Sequence, residues 1–131
     1  MSELIDVYNK LKQMYPKALE VLKANVQGGI YISFDGLKQD AHKKDLASFS
    51  IKVSARTLAQ DKTSVLPLLD ELRVKTIQEQ NRVFGVEIFK NIEFVSIEDG
   101  LYIYSLNLEI PIFRELVDEY LGDEDECIKD V

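Results

Sequence analysis

Cys127 and His42 are the only cysteine and the only histidine in the 131 residues. One cysteine excludes an internal disulfide and any multi-cysteine metal site. A Ser-His-Asp or Cys-His arrangement would have to use His42, which lies in the polar stretch KQDAHKKD, where a solvated loop is expected. Phosphate chemistry fares no better: QGGIYISF has two glycines, but it leads into a strand pattern and lacks the Lys-Ser/Thr of a P-loop. The DEDE run at 123–126 lacks the alternating ligands, central glycine and terminal glutamate of a calcium loop. Glu98 and Asp99 sit side by side in a turn, where nothing would desolvate one of them for acid catalysis. These residues point to no catalytic, cofactor or metal site, and the chain is read as a non-enzyme.

Lys38, His42, Lys43 and Lys44 make the one basic patch visible in the sequence. Asp40 and Asp45 interrupt it and no aromatic residue lies among the bases, so specific nucleic-acid binding is not expected. The patch falls in a polar segment, residues 35 to 46, longer than a tight hairpin needs. Long loops in compact domains are often functional, and these four residues are the candidate assembly-contact loop.

The elements that must position them follow from periodicity. Leu4, Ile5, Tyr8, Leu11 and Met14 or Tyr15 recur at helical spacing behind Ser2, and Pro16 should end that helix. Ala18, Leu19, Val21 and Leu22 suit a short second helix, stopped by Gly28-Gly29. Ile30, Ile32 and Phe34 alternate as a strand, followed by Asp35-Gly36 read as a turn. Ala47, Phe49, Ile51, Val53 and Ala55 then alternate with polar residues in the cleanest half-buried strand of the chain. Thr63 and Ser64 are capping candidates for a helix with Val65, Leu69, Leu72 and Thr76 on one stripe, Leu66 and Ile77 beside it, and Pro67 in its first turn. A closing hairpin turns at Glu98-Asp99-Gly100, with Tyr102, Tyr104, Leu106, Leu108 and Ile110 on one face of its second strand.

The fold class is therefore α+β: a mainly antiparallel sheet with helices on one face, in the order α-α-β-β-α-β-β, followed by a C-terminal helix in FRELVDEYL. Residues 1–113 form one domain, and 114–131 an acidic tail that starts as that helix. The net charge of −7 belongs to this tail. Residues 1–114 carry 15 Lys/Arg and 15 Asp/Glu, whereas 115–131 carry 8 acids against Lys129. No apolar run approaches the roughly 20 residues of a membrane helix, and no secretory signal opens the chain.

The runs YPKALEVLKANVQGGIYISFDG, LASFSIKVSARTL, SVLPLLDELRVKTI and NIEFVSIEDGLYIYSLNLEIPI together resemble the tail terminator proteins of long-tailed phages and Mu-like prophages. The resemblance covers roughly residues 4 to 113 and leaves out the acidic tail. It implies an α/β sandwich that assembles with itself into a hexameric ring on the finished tail tube. Such a ring stops tube polymerisation and presents the docking surface for the head-tail connector protein, with a passage for DNA and no membrane contact. It places the protein in the host cytoplasm during assembly and then in the virion tail. An alternative resemblance, to the acidic dimeric chaperones of type III secretion, rests on size, low pI and α+β composition; the neutral charge of residues 1–114 speaks against it.

Overall fold

The computed structural model of the protein describes residues 3–20, 29–41 and 43–113. Helix α1 spans Leu4–Met14. Glu3 caps it, and its backbone N–H donates to Asp6 Oδ2 at 3.1 Å, closing a reciprocal capping box one residue beyond the expected Ser2. Val7, Leu11 and Met14 are buried, with Tyr8 packed beside them, whereas Leu4 and Ile5 face outward. Pro16 follows the helix end as predicted, because it has no N–H to continue the ladder.

Leu19–Glu20 is a two-residue strand, β1, rather than the start of a second helix. It lies parallel to β2, pairing with Tyr31 and Ile32. Two residues carry too little periodicity to separate strand from helix, and the rest of the predicted helix lies outside the described residues. The C-terminal helix and the acidic tail, 114–131, also lie outside them.

Strands β2 (Gly29–Ala41) and β3 (Lys44–Ala55) form one long antiparallel hairpin. Helix α2 (Val65–Phe84) then leads into β4 (Phe89–Glu98) and β5 (Leu101–Phe113). The sheet order is β1-β2-β3-β5-β4, antiparallel except for β1. Asp99 and Gly100, with φ of 53° and 78°, make the two-residue turn between β4 and β5. Left-handed backbone at both positions matches strand twist, and it is why Asp-Gly stands there.

Pairing puts Ile32, Ile51, Leu106 and Ile92 in one row across the sheet, and Val53, Tyr104 and Phe94 in another. These rows face the two helices. Their buried members join Val7, Leu11, Met14, Val65, Leu69 and Leu72 in a single core. Burial of this face is the main favourable term holding the layers together, at about 25 cal/mol per Å² of apolar surface.

The two helices are also tied by a buried hydrogen-bond chain. Tyr15 Oη bonds to Thr76 Oγ1, which donates to the Leu72 carbonyl at 2.7 Å. Burial pushes the Tyr15 phenol up to about 12, against the smaller opposing effect of the Thr76 bond.

The start of α2 is satisfied from outside the helix. Val65 and Leu66 donate their backbone N–H groups to the carbonyls of Thr57 and Leu58 at 3.0 and 2.8 Å. The Ser64 hydroxyl accepts from the N–H groups of Gln60 and Asp61, so the β3–α2 connection is folded around the cap residue.

Candidate assembly surface

The predicted loop at 35–46 is a correction: its residues continue β2 and begin β3. Leu37 pairs with Ala47, Lys38 with Leu46 and Gln39 with Asp45. Asp35-Gly36, read as a turn, is instead a bulge. The register shifts between Phe34 and Gly36, and Gly36 adopts φ 150°, a backbone state that side-chain-bearing residues rarely reach. A glycine inside an extended run marks a bulge as readily as a turn, and the ladder continues past it.

The candidate residues therefore sit on a hairpin arm. Lys38 is exposed near its end. His42 lies outside the described residues. Lys43, at φ 66°, takes the left-handed conformation that reverses the chain. Lys44 opens β3 and pairs with Asp40 at 3.0 Å. The structure thus gathers Lys38, Lys43 and Lys44 at one end of the sheet as an arm tip.

Beyond Ile32, the outer side of β2 has no strand partner among the described residues, and neither has the outer side of β4. Both edges carry apolar side chains that stay exposed on the helix-covered face. On β2 these are Phe34 (51% exposed) and Leu37 (48%); on β4, Phe94 (54%) and Ile97 (57%). Phe34 packs against Phe49 with ring centroids 5.1 Å apart, and Phe94 meets Tyr104 edge-on at 5.5 Å, so one side of each ring is held by the sheet.

β4 is fixed at its start by a residue that periodicity did not single out. Gln80, buried on α2, accepts the backbone N–H groups of Ile88 and Phe89 on one side-chain oxygen, at 2.7 and 3.0 Å. Glu109 on β5 accepts from Lys90 at 3.3 Å. No charge or spacing signal marks Gln80 in the sequence, only its position one turn beyond Thr76 on the buried stripe.

The face of the sheet turned away from the two described helices is polar at its centre, where Ser50 and Ser105 are buried, with Leu101 buried at one end. Asn107 donates to Asn91 Oδ1 at 2.7 Å and to Glu93 Oε1 at 3.2 Å, and Lys52 donates to Ser50 at 2.8 Å. Small and amide side chains tile this face and satisfy one another.

The sequence matches no protein-family model and no curated protein.

One concavity, about 750 Å³, opens between the start of β2, the end of β3 and the 57–64 connection, with Lys17, Arg56 and Asp61 on its walls. Asp61 accepts from the hydroxyl and the backbone N–H of Thr63 at 2.7 and 2.9 Å, and these bonds hold its carboxyl below the usual range. The carboxylate is thus engaged in shaping its own loop. Among the described residues no three His, Cys, Asp or Glu side chains gather as a metal ion would require. No described helix is long and apolar enough to cross a membrane.

Proposed function

We propose that this chain is an assembly component rather than an enzyme: a phage or prophage tail terminator that forms a ring on the tail tube, stops its polymerisation and presents the surface on which the head connector docks. The observation that carries the reading is that the outer sides of β4 and of β2 beyond Ile32 have no strand partner among the described residues, while each bears large apolar side chains about half exposed. An open edge offers a row of backbone donors and acceptors to another chain, and apolar residues beside it add burial on contact. The sequence resemblance supplies the particular assembly. A ring of six identical subunits needs such surfaces and no reactive group, and the acidic segment at 115–131 fits a passage that DNA crosses without adhering, since like charges repel.

The test is the mass and shape of the purified protein. Sedimentation across a concentration series, with electron microscopy of the heaviest species, should show a closed ring of six. A monomer at every concentration, or a dimer that grows no further, would refute it; the dimer is the form expected of a secretion chaperone.

A further inference from the structure

We infer that the step between α2 and the outer strand β4, on the helix-covered face of the sheet, receives residues 114–121 of a second copy, laid along it as an amphipathic helix. The inference rests on the assembly reading above and names one contact that would carry it.

The step follows from where α2 lies. Its buried stripe, Val65, Leu69, Leu72, Thr76 and Gln80, faces the sheet, and the helix touches β3, β5 and β4. Leu68, Glu71 and Lys75 turn to the flank shared with Met14, Tyr15 and Ala18. With 3.6 residues per turn, Leu66, Arg73 and Ile77 fall on the opposite flank, toward β4. Leu66 and Ile77 are each 47% exposed there, and Arg73 is paired with Asp70 at 3.4 Å. Beside them Ile92, Phe94 and Ile97 stand on β4 in register with Leu106, Tyr104 and Tyr102, and Phe94 and Ile97 are more than half exposed. Helix flank and strand are thus the wall and floor of one apolar trough. Neither Glu93 nor Glu98 enters it, since both alternate to the other face of the sheet.

The segment after β5 has the matching pattern. Phe113, Leu116, Val117, Tyr120 and Leu121 recur on one helical stripe, while Arg114, Glu115, Asp118 and Glu119 share the opposite one and Gly122 follows. A helix over 113–121 presents about 12 Å of apolar stripe. The rows from Ile92 to Ile97, level with Ile51 to Ala55, occupy about 13 Å of β4. Such a helix lays its apolar side in the trough and keeps its acids turned outward.

The place where the segment leaves the sheet decides which copy it serves. Phe113 pairs with Lys44, whereas Phe94 is level with Val53, nine residues further along β3, or about 30 Å away. Residues 114–121 cover only about 12 Å as a helix, so the step of their own chain is out of reach. Stripe and step are different surfaces, so each copy gives one segment and accepts one.

Two cysteine variants, Phe94→Cys and Tyr120→Cys, each in a Cys127→Ser background, test the contact when mixed and oxidised. The expected result is a disulfide between the two different variants and little or none within either alone. A chain carrying both cysteines that closes the disulfide on itself, at monomer mass, would overturn the exchange between copies. Oligomers that form without the cross-link would overturn the contact and leave the assembly reading standing; a monomer throughout would overturn both. Cross-links confined to a dimer that grows no further would keep the contact and overturn the ring. Lysine substitutions give a reading that needs no cross-link. Ile77→Lys and Tyr120→Lys should each weaken association roughly tenfold, and the two together no more than either alone, because both remove one contact. Losses that simply multiply would overturn the pairing of these two residues. Val74→Lys, exposed on α2 away from the step, is the control and should leave association unchanged, and a loss there equal to that of Ile77→Lys would overturn the choice of the step.

Discussion

Gln80→Met tests whether the edge strand β4 is anchored by one side chain. Methionine keeps the length and most of the volume of glutamine and still packs on the buried face of α2, but it offers only a weak sulfur acceptor. The substitution leaves the N–H groups of Ile88 and Phe89 without the oxygen that lies 2.7 and 3.0 Å from them. An unsatisfied buried donor costs about 1–3 kcal/mol. Ile88 is 2% exposed, so its N–H bears that cost nearly in full, while Phe89 is half-buried and bears less. The sum is about 2–4 kcal/mol, read as a lower midpoint in denaturant unfolding at unchanged slope. Hydrogen exchange should place the loss at residues 88 and 89 and the neighbouring β4 amides, ahead of β3 and β5. Gln78→Met, exposed on the same helix, is the control and should stay within about 0.5 kcal/mol. If Gln80→Met matches that control, the anchoring role is wrong.

Ile51 is fully buried between Ile32 and Leu106, so Ile51→Ala loses three carbons at about 0.8 kcal/mol each and leaves a partly collapsed void; unfolding should report a loss of about 2–5 kcal/mol, and less than about 0.5 would refute its central position. The Tyr15 phenol, raised to about 12 by burial, ionises more easily in the unfolded chain; its contribution is whole below pH 10 and is lost between pH 10 and 12, by roughly 2–3 kcal/mol. Tyr15→Phe should flatten that alkaline decline in a pH series of unfolding midpoints, and an unchanged slope would show the decline lies elsewhere. Deleting residues 122–131 should raise self-association most at low ionic strength while leaving the unfolding midpoint in place, because repulsion between like charges is screened within about 8 Å at 0.15 M salt; identical sedimentation across a salt series would remove the charge brake.

The α+β architecture was legible because its burial is periodic. The odd residues from Ala47 to Ala55 and the even ones from Tyr102 to Ile110 face the core as their alternation predicts, and Val65, Leu69, Leu72 and Thr76 form the buried stripe of α2. What escaped was fixed by partners remote in the chain. The arm was misread as a loop because its polar residues need no core beneath them: pairing between 36–41 and 44–48 satisfies the backbone whatever the side chains are. Leu66 and Ile77 sit beside the buried stripe yet remain nearly half exposed, since composition says that a residue is apolar but not how far the sheet beneath it extends. Gln80 looks in sequence like any polar residue of a helix; only the fold reveals two backbone donors converging on it. The basic residues were found, but their meaning changes with the backbone, from a loose loop to the tip of a paired arm.

A strand ten residues long with exposed phenylalanine and isoleucine and, among the described residues, no partner on its outer side ought to be an aggregation hazard, and β4 carries features that oppose it. Its ladder with β5 is interrupted twice, between Phe89 and Asn91 and between Phe94 and Ser96, and such bulges add local twist that a flat fibril cannot follow. Glu93 and Glu98 lie along the same strand. Two β4 edges pairing about a two-fold axis would bring these carboxylates of both copies into one short ladder, and like charges opposite one another destabilise strand pairing.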